Sequence, residues 1–125
     1  MTENQISYAI RGAIFEVYNQ VGVGLLESVY KKALKFELIN QGLMVQTEVP
    51  VPFIYKGHDM NLGFRLDMLV EGKVIVEVKA IKETIPFHHM QVINYLKLSK
   101  LKLAILVNFH TDHIEQEIYR KVNQL

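Results

Sequence analysis

Outside its short turn, the stretch Asp67-Met-Leu-Val-Glu-Gly-Lys-Val-Ile-Val-Glu77-Val-Lys79 carries three charged side chains in an otherwise apolar setting. Val74 to Ala80 alternates and reads as a strand, so Val74, Val76 and Val78 point one way and Ile75, Glu77 and Lys79 the other. The flanks, Val-Ile-Val before the acid and Ala-Ile after the lysine, predict a central strand. Two charges in a central strand are costly unless paired or bound to a cation. Asp67 falls on the preceding strand, on the face expected to be shared by Arg65 and Leu69. The three-residue loop Glu71-Gly72-Lys73 sets Val70 opposite Val74, Met68 opposite Val76 and Asp67 opposite Glu77. A two-residue loop would slip the register by one and send Asp67 to the other face.

Facing carboxylates repel unless a cation sits between them. Magnesium takes oxygen ligands at about 2.0–2.1 Å and keeps several waters. A bound divalent ion polarises a phosphoryl oxygen and makes water a better nucleophile, and a neighbouring lysine can orient that water or stabilise charge on the phosphate. The alternative is a buried Asp–Lys–Glu salt-bridge cluster without catalysis.

Working outward, residues 4–19 read as a helix, with Ile6, Ala9, Ile10, Ala13, Ile14 and Val17 at three-to-four spacing. Gly22-Val-Gly24 breaks it. A second helix runs from about Leu26 to Gln41, with Val29, Ala33, Leu34, Phe36 and Leu38 as its apolar set and Gly42 as its stop. Val45 to Tyr55 reads as a strand that Pro50 and Pro52 place at an edge or bend. Lys56-Gly57 is a turn signal, and Met60 to Val70 reads as a further strand or a bent pair. Pro86 opens a helix that runs to about Ser99. Lys102 to Asn108 has the continuous apolar pattern of a strand covered on both faces. In the tail, Ile114, Ile118 and Val122 suit either a helix or one face of a strand. The order predicts a mixed α/β sheet flanked by helices, in one domain spanning residues 1–125.

Composition narrows the function. With 125 residues, half of them hydrophobic, the chain can bury a real core. It has no cysteine, which excludes disulfides, thiolate metal sites and cysteine nucleophiles. No apolar run is long enough to span a membrane, and the N-terminus lacks a signal-peptide pattern, so the expected location is cytoplasmic with no membrane partner. The net charge of +1 argues against coating nucleic acid by charge alone. Lys31-Lys32-Lys35 and Lys97-Lys100-Lys102 could hold DNA locally, or could be ordinary solvated faces.

Asp67 followed by Glu77-Val78-Lys79 resembles the D…(D/E)xK core of the PD-(D/E)XK nuclease superfamily. Gly24-Leu-Leu-Glu27-Ser-Val-Tyr30 is similar to the GxxExxY motif that names a small family within it, and Gln91-Val-Ile-Asn-Tyr95 resembles the QxxxY helix of several of its nuclease branches. The resemblance runs from about Ile6 to Asn108 and implies a restriction-endonuclease-like core. It implies that Asp67, Glu77 and the Val78 carbonyl bind Mg²⁺ or Mn²⁺. It makes Lys79 the catalytic lysine, and it aims Glu27 at the metal directly or through water. Gln91 and Tyr95 would line the site, contacting DNA or Lys79. Leu66 stands where the superfamily often has proline. Read as residues alone, Glu27 and Tyr30 also fit a helix-start carboxylate and a core tyrosine, and Gln91 and Tyr95 a cap on the core. His88 and His89 project about 100° apart on their helix and are left as surface or phosphate-contacting groups. The implied activity is phosphodiester hydrolysis, in DNA by expectation. The alternatives are a non-catalytic nucleic-acid-binding or assembly module on the same fold, and hydrolysis of a smaller phosphate ester or nucleotide. At this length, sequence-specific cleavage would require a homodimer or a protein partner.

Overall fold

The computed structural model describes residues 1–125. Helix α1 spans Glu3–Val21. The Thr2 hydroxyl accepts from the Gln5 N–H, and the Gln5 carboxamide accepts from the Thr2 N–H, which satisfies two donors a helix start leaves orphaned. Its buried stripe is Ile6, Ile10, Ala13, Ile14 and Val17. Helix α2 spans Glu27–Asn40 and buries Tyr30, Leu34 and Leu38. Val29 and Phe36, expected in its apolar set, are exposed. The residues that meet the sheet are Tyr30 and its neighbours one and two turns on.

Five strands follow: β1 (Val45–Tyr55), β2 (His58–Val70), β3 (Val74–Lys79), then, after helix α3 (Pro86–Ser99), β4 (Leu103–Asn108) and β5 (Ile118–Val122). They form one mixed sheet in the order β1-β2-β3-β4-β5. All pairs are antiparallel except β3–β4, where α3 supplies the crossover a parallel pair needs. Every residue of β4 is buried, as a strand covered on both faces requires. The tail resolves as a short 3₁₀ turn at Ile114–Gln116 and then strand β5, not a helix. No helix is long and apolar enough to cross a membrane.

The sheet separates two apolar layers. Met68, Val70, Val74, Val76, Val78, Leu103, Ile105 and Val107 pack against α1 and α2. Leu66, Ile75, Ala104 and Leu106 pack against Val92 and Leu96 of α3. β2 therefore changes face along its length. Leu66 and Met68 are two apart, yet pack in opposite layers. β1 does the same between Val45, which packs with α1 and α2, and Val49, which packs with α3. Thr47 pairs with Met68 and Val49 with Leu66, so the slip lies at Glu48 and Asp67. Glu48 has φ of 53°, a conformation uncommon for a residue with a side chain. Because of the slip, Arg65 does not share a face with Leu69 as simple alternation predicts: Leu66 and Leu69 pack in the same layer, and Arg65, next to Leu66, is exposed.

Beyond the slip, β1 and β2 continue as a two-stranded arm past the end of β3. β1 is an edge strand, which accommodates Pro50 and Pro52, and its register shifts between Pro52 and Ile54. Gly63 pairs with Pro52, and a Cβ there would come within 2.2 Å of the Val51 carbonyl oxygen. Gly63→Ala should therefore destabilise the fold by about 1–3 kcal/mol. Gly12→Ala, in an open part of α1, should stabilise by about 0.5–1 kcal/mol. Urea unfolding followed by circular dichroism checks both, and a neutral Gly63→Ala would show that the arm relaxes freely.

Candidate functional site

β2 and β3 pair only from Val70↔Val74 through Leu69↔Ile75 to Met68↔Val76, the register that the three-residue loop predicts. One residue further on, the ladder is replaced by side chains. The Asp67 N–H donates to Glu77 Oε1 at 3.0 Å, and the Val78 N–H donates to Asp67 Oδ2 at 2.9 Å. The two acids thus fill the fork where the strands separate, each reaching across to the other strand's backbone, and Asp67 and Glu77 are not themselves a ladder pair. In an extended strand the N–H and C=O of one residue leave on the same edge. The Val78 carbonyl therefore faces this fork too, whereas the Lys79 carbonyl on the opposite edge accepts from the Phe109 N–H at 2.9 Å.

Glu77 is 5% exposed. Burial first, and the Asp67 charge second, push its carboxyl up from 4.5 to about 8, with Lys79 pulling weakly the other way. Lys79 is half-buried and forms no ion pair within 4 Å. Its alternation with Glu77 brings it to the same face of β3.

Helix α2 approaches from one layer. Lys31 Nζ lies 3.0 Å from Glu27 Oε2 and 3.1 Å from Asp67 Oδ1. Glu27 therefore reaches Asp67 through an ammonium and not by converging with it, and no three acidic or imidazole side chains gather in one place. Burial lowers the Lys31 pKa, but its bonds to Glu27 and Asp67 more than offset this and hold it above the usual range. A cleft of about 310 Å³ opens beside Asp67, lined by Lys31, Lys32, Lys35, Thr47 and Glu48 among others. Tyr30, the other motif residue of α2, points into the core. It stacks on Phe109 with centroids 4.4 Å apart, its hydroxyl donates to the Gly22 carbonyl at 2.7 Å, and it accepts from the Leu25 N–H. It holds the loop that delivers Glu27; Gly24 in that loop has φ of 103°.

Helix α3 approaches from the other layer. Tyr95 stacks on Phe64 with centroids 4.4 Å apart. Burial first, then the charges of Glu77 and Asp67, raise its pKa, so it is a hydroxyl donor at neutral pH next to the acids. Gln91, one turn earlier, is half-buried. The histidines have local work. His88 Nδ1 accepts the Ile85 N–H at the start of α3, and His89 pairs with the Thr84 hydroxyl edge-on to Tyr119, its pKa lowered by burial, then Lys121 and His88. Sequence reading missed Lys31 as a partner of Asp67. It also missed Asn108, fully buried beside Lys79 in the β3–β4 register, whose carboxamide bonds both the N–H and the carbonyl of Ile81. The signal for Asn108 was a polar residue closing an apolar run.

The donor set at the fork is two carboxylates and a strand carbonyl, all hard oxygens, with one acid driven toward its protonated form by burial first and by its neighbour second. That chemistry fits a magnesium or manganese ion. A family model described as the PD-(D/E)XK nuclease superfamily matches residues 4–121. No curated protein and no solved structure matches the chain.

Glu77 also sets a pH dependence. Its carboxyl keeps its proton in the folded chain up to about 8, whereas an ordinary one releases it near 4.5. Between those values the folded state binds more protons than the unfolded state, so stability falls as pH rises and levels off above the upper value. Thermal melts in EDTA should show this decline, and Glu77→Gln should flatten it. Identical slopes for the two proteins would mean that Glu77 is already ionised when folded.

Proposed function

The chain belongs to the PD-(D/E)XK nuclease superfamily, and from that membership we propose that it is a metal-dependent nuclease domain hydrolysing phosphodiester bonds in DNA. The observation that carries this reading is the fork: Asp67 and Glu77, from neighbouring strands, each bond the other strand's backbone within reach of one ion. Asp67, Glu77 and the Val78 carbonyl would hold Mg²⁺ or Mn²⁺. When bound, such an ion polarises a phosphoryl oxygen and lowers the pKa of water.

The remaining steps fall to the chain itself. Lys79, on the Glu77 face and free of an ion pair, orients the attacking water and offsets charge building on the phosphate. The Tyr95 hydroxyl, kept protonated, donates to a phosphate oxygen or to Lys79's water, and Gln91 contacts the nucleic acid one turn along α3. Lys32 and Lys35 line the cleft beside Asp67 and are placed to follow a phosphate backbone, a sequence-independent contact. Within the superfamily we place the chain in the GxxExxY family. Supporting this are Gly24 at positive φ, Tyr30 clamping the same loop, and Glu27 linked to Asp67 through Lys31. A second reading, a non-catalytic binding or assembly module, draws support from Lys31, which already neutralises Asp67.

Calorimetric titration with Mn²⁺ and cleavage of single- and double-stranded DNA separate the two. We expect Asp67→Ala to abolish Mn²⁺ binding. Cleavage should stop in EDTA and fall at least 100-fold in Lys79→Ala, in line with the loss of about 2.7–4 kcal/mol seen when one transition-state donor is removed. Binding tightens from about pH 6 toward 8 as the ion displaces the Glu77 proton. Metal binding without cleavage of any nucleic acid would favour the second reading.

A further inference from the structure

Lys31 touches two of the acids assigned above yet has no part in the hydrolysis. Its side chain is 24% exposed and that of Asp67 is 15% exposed, so the pair sits largely out of water. Asp67 divides its oxygens. Oδ2 accepts the Val78 N–H, and Oδ1 is held by the Lys31 ammonium at 3.1 Å. The oxygen not committed to the backbone is therefore the one that a metal ion would take. Hard divalent ions bind oxygen at about 2.0–2.6 Å, closer than the ammonium stands. Both cations on one oxygen would place three positive charges within a few ångströms in a site with little screening water.

We propose that Lys31 competes with the divalent ion for Asp67: its ammonium is the resident counter-ion of Glu27 and Asp67, and ion binding displaces it. The inference rests on the metal reading of Asp67 given above. The structure provides somewhere for the ammonium to go. The cleft next to it is lined by Ser28, Lys32, Lys35, Thr47 and Glu48. Glu48, between the pairs Thr47↔Met68 and Val49↔Leu66 at the face slip and with the left-handed backbone described above, lines this cleft and offers a carboxylate to the displaced group. Lys31 would thus be a positioning residue, not a catalytic one. It keeps the acids apart from each other's charge until an ion arrives.

Mn²⁺ affinity measured by titration calorimetry, with melts in EDTA and in Mn²⁺, tests this. Lys31→Met keeps the length of the side chain and removes the charge. It should bind Mn²⁺ at least tenfold more tightly than the wild type, and its melting temperature should drop in EDTA and recover in Mn²⁺. Lys32→Met makes the same change in net charge one residue away and should alter affinity less than about threefold, and Lys31→Arg should resemble the wild type. If Asp67→Ala abolishes Mn²⁺ binding but Lys31→Met binds no more tightly than wild type, the competition is refuted while the metal site stands. If Asp67→Ala binds like wild type, both fail. Should Lys31→Met not fold, nitrogen-15 spectra of the lysine ammonium groups decide in the wild type. The Lys31 resonance, sheltered by two carboxylates, should disappear on adding Mg²⁺; its persistence at saturating Mg²⁺ would refute the proposal.

Discussion

A carboxyl group buried on the central strand of a sheet must keep its proton or find a positive partner, and the surroundings of Glu77 are built around that choice. Desolvation and the neighbouring Asp67 carboxylate both work against its charge. Neither is relieved by a close cation, since Lys79 stands beyond ion-pair distance. What the protein does supply is backbone. The Asp67 and Val78 N–H groups, which would otherwise be unpaired where β2 leaves β3, are satisfied by Glu77 and Asp67. An unmade hydrogen bond there would cost about 1–3 kcal/mol for each buried group. The acids therefore have structural work beyond the metal binding proposed for them.

This dual use explains why the strands must fork. If β2 and β3 stayed zipped past Met68 and Val76, the Val78 N–H and carbonyl would be consumed by the ladder. The acids would then project from a closed surface with no strand carbonyl available. The slip at Glu48 and Asp67 has the same effect from the other side. It turns the β1–β2 arm so that Val49, Val51, Phe64 and Leu66 join the α3 layer, while Met68 and Val70 stay with α1 and α2. Asp67 sits at the changeover, reachable from both.

Much of this was legible in the chain. The alternation around Glu77 and Lys79, and a turn of fixed length, determine which residues of β2 and β3 meet, because strand periodicity leaves only one parity that works. The proline pair marks β1 as an edge, and Pro86 marks the start of α3. Three features were not legible, each for a physical reason. The slip rests on a left-handed glutamate, with no glycine or asparagine at Glu48 to announce it. The outward turn of Val29 and Phe36 could not be told from the helix period alone, because α2 carries apolar residues on more than one face. The Lys31–Glu27 pair follows from four-residue spacing, but the Asp67 contact joins residues far apart in the chain and exists only after the layers have packed.

The two helices then have complementary electrostatic roles. From the α2 layer comes a positive charge on a long side chain, already engaged with Glu27 and Asp67. From the α3 layer comes a neutral donor, Tyr95, locked by its stack on Phe64 and kept from ionising by burial and by the acids themselves. A neutral, rigid donor can stay in place when an ion enters, since it adds no charge to the site. A lysine cannot do so without repulsion. On the proposal that an ion displaces Lys31, the rearrangement would fall on the α2 side and its open cleft, while the β3–β4 pairing and the Asn108 carboxamide on Ile81 anchor the end of the strand that carries Glu77 and Lys79.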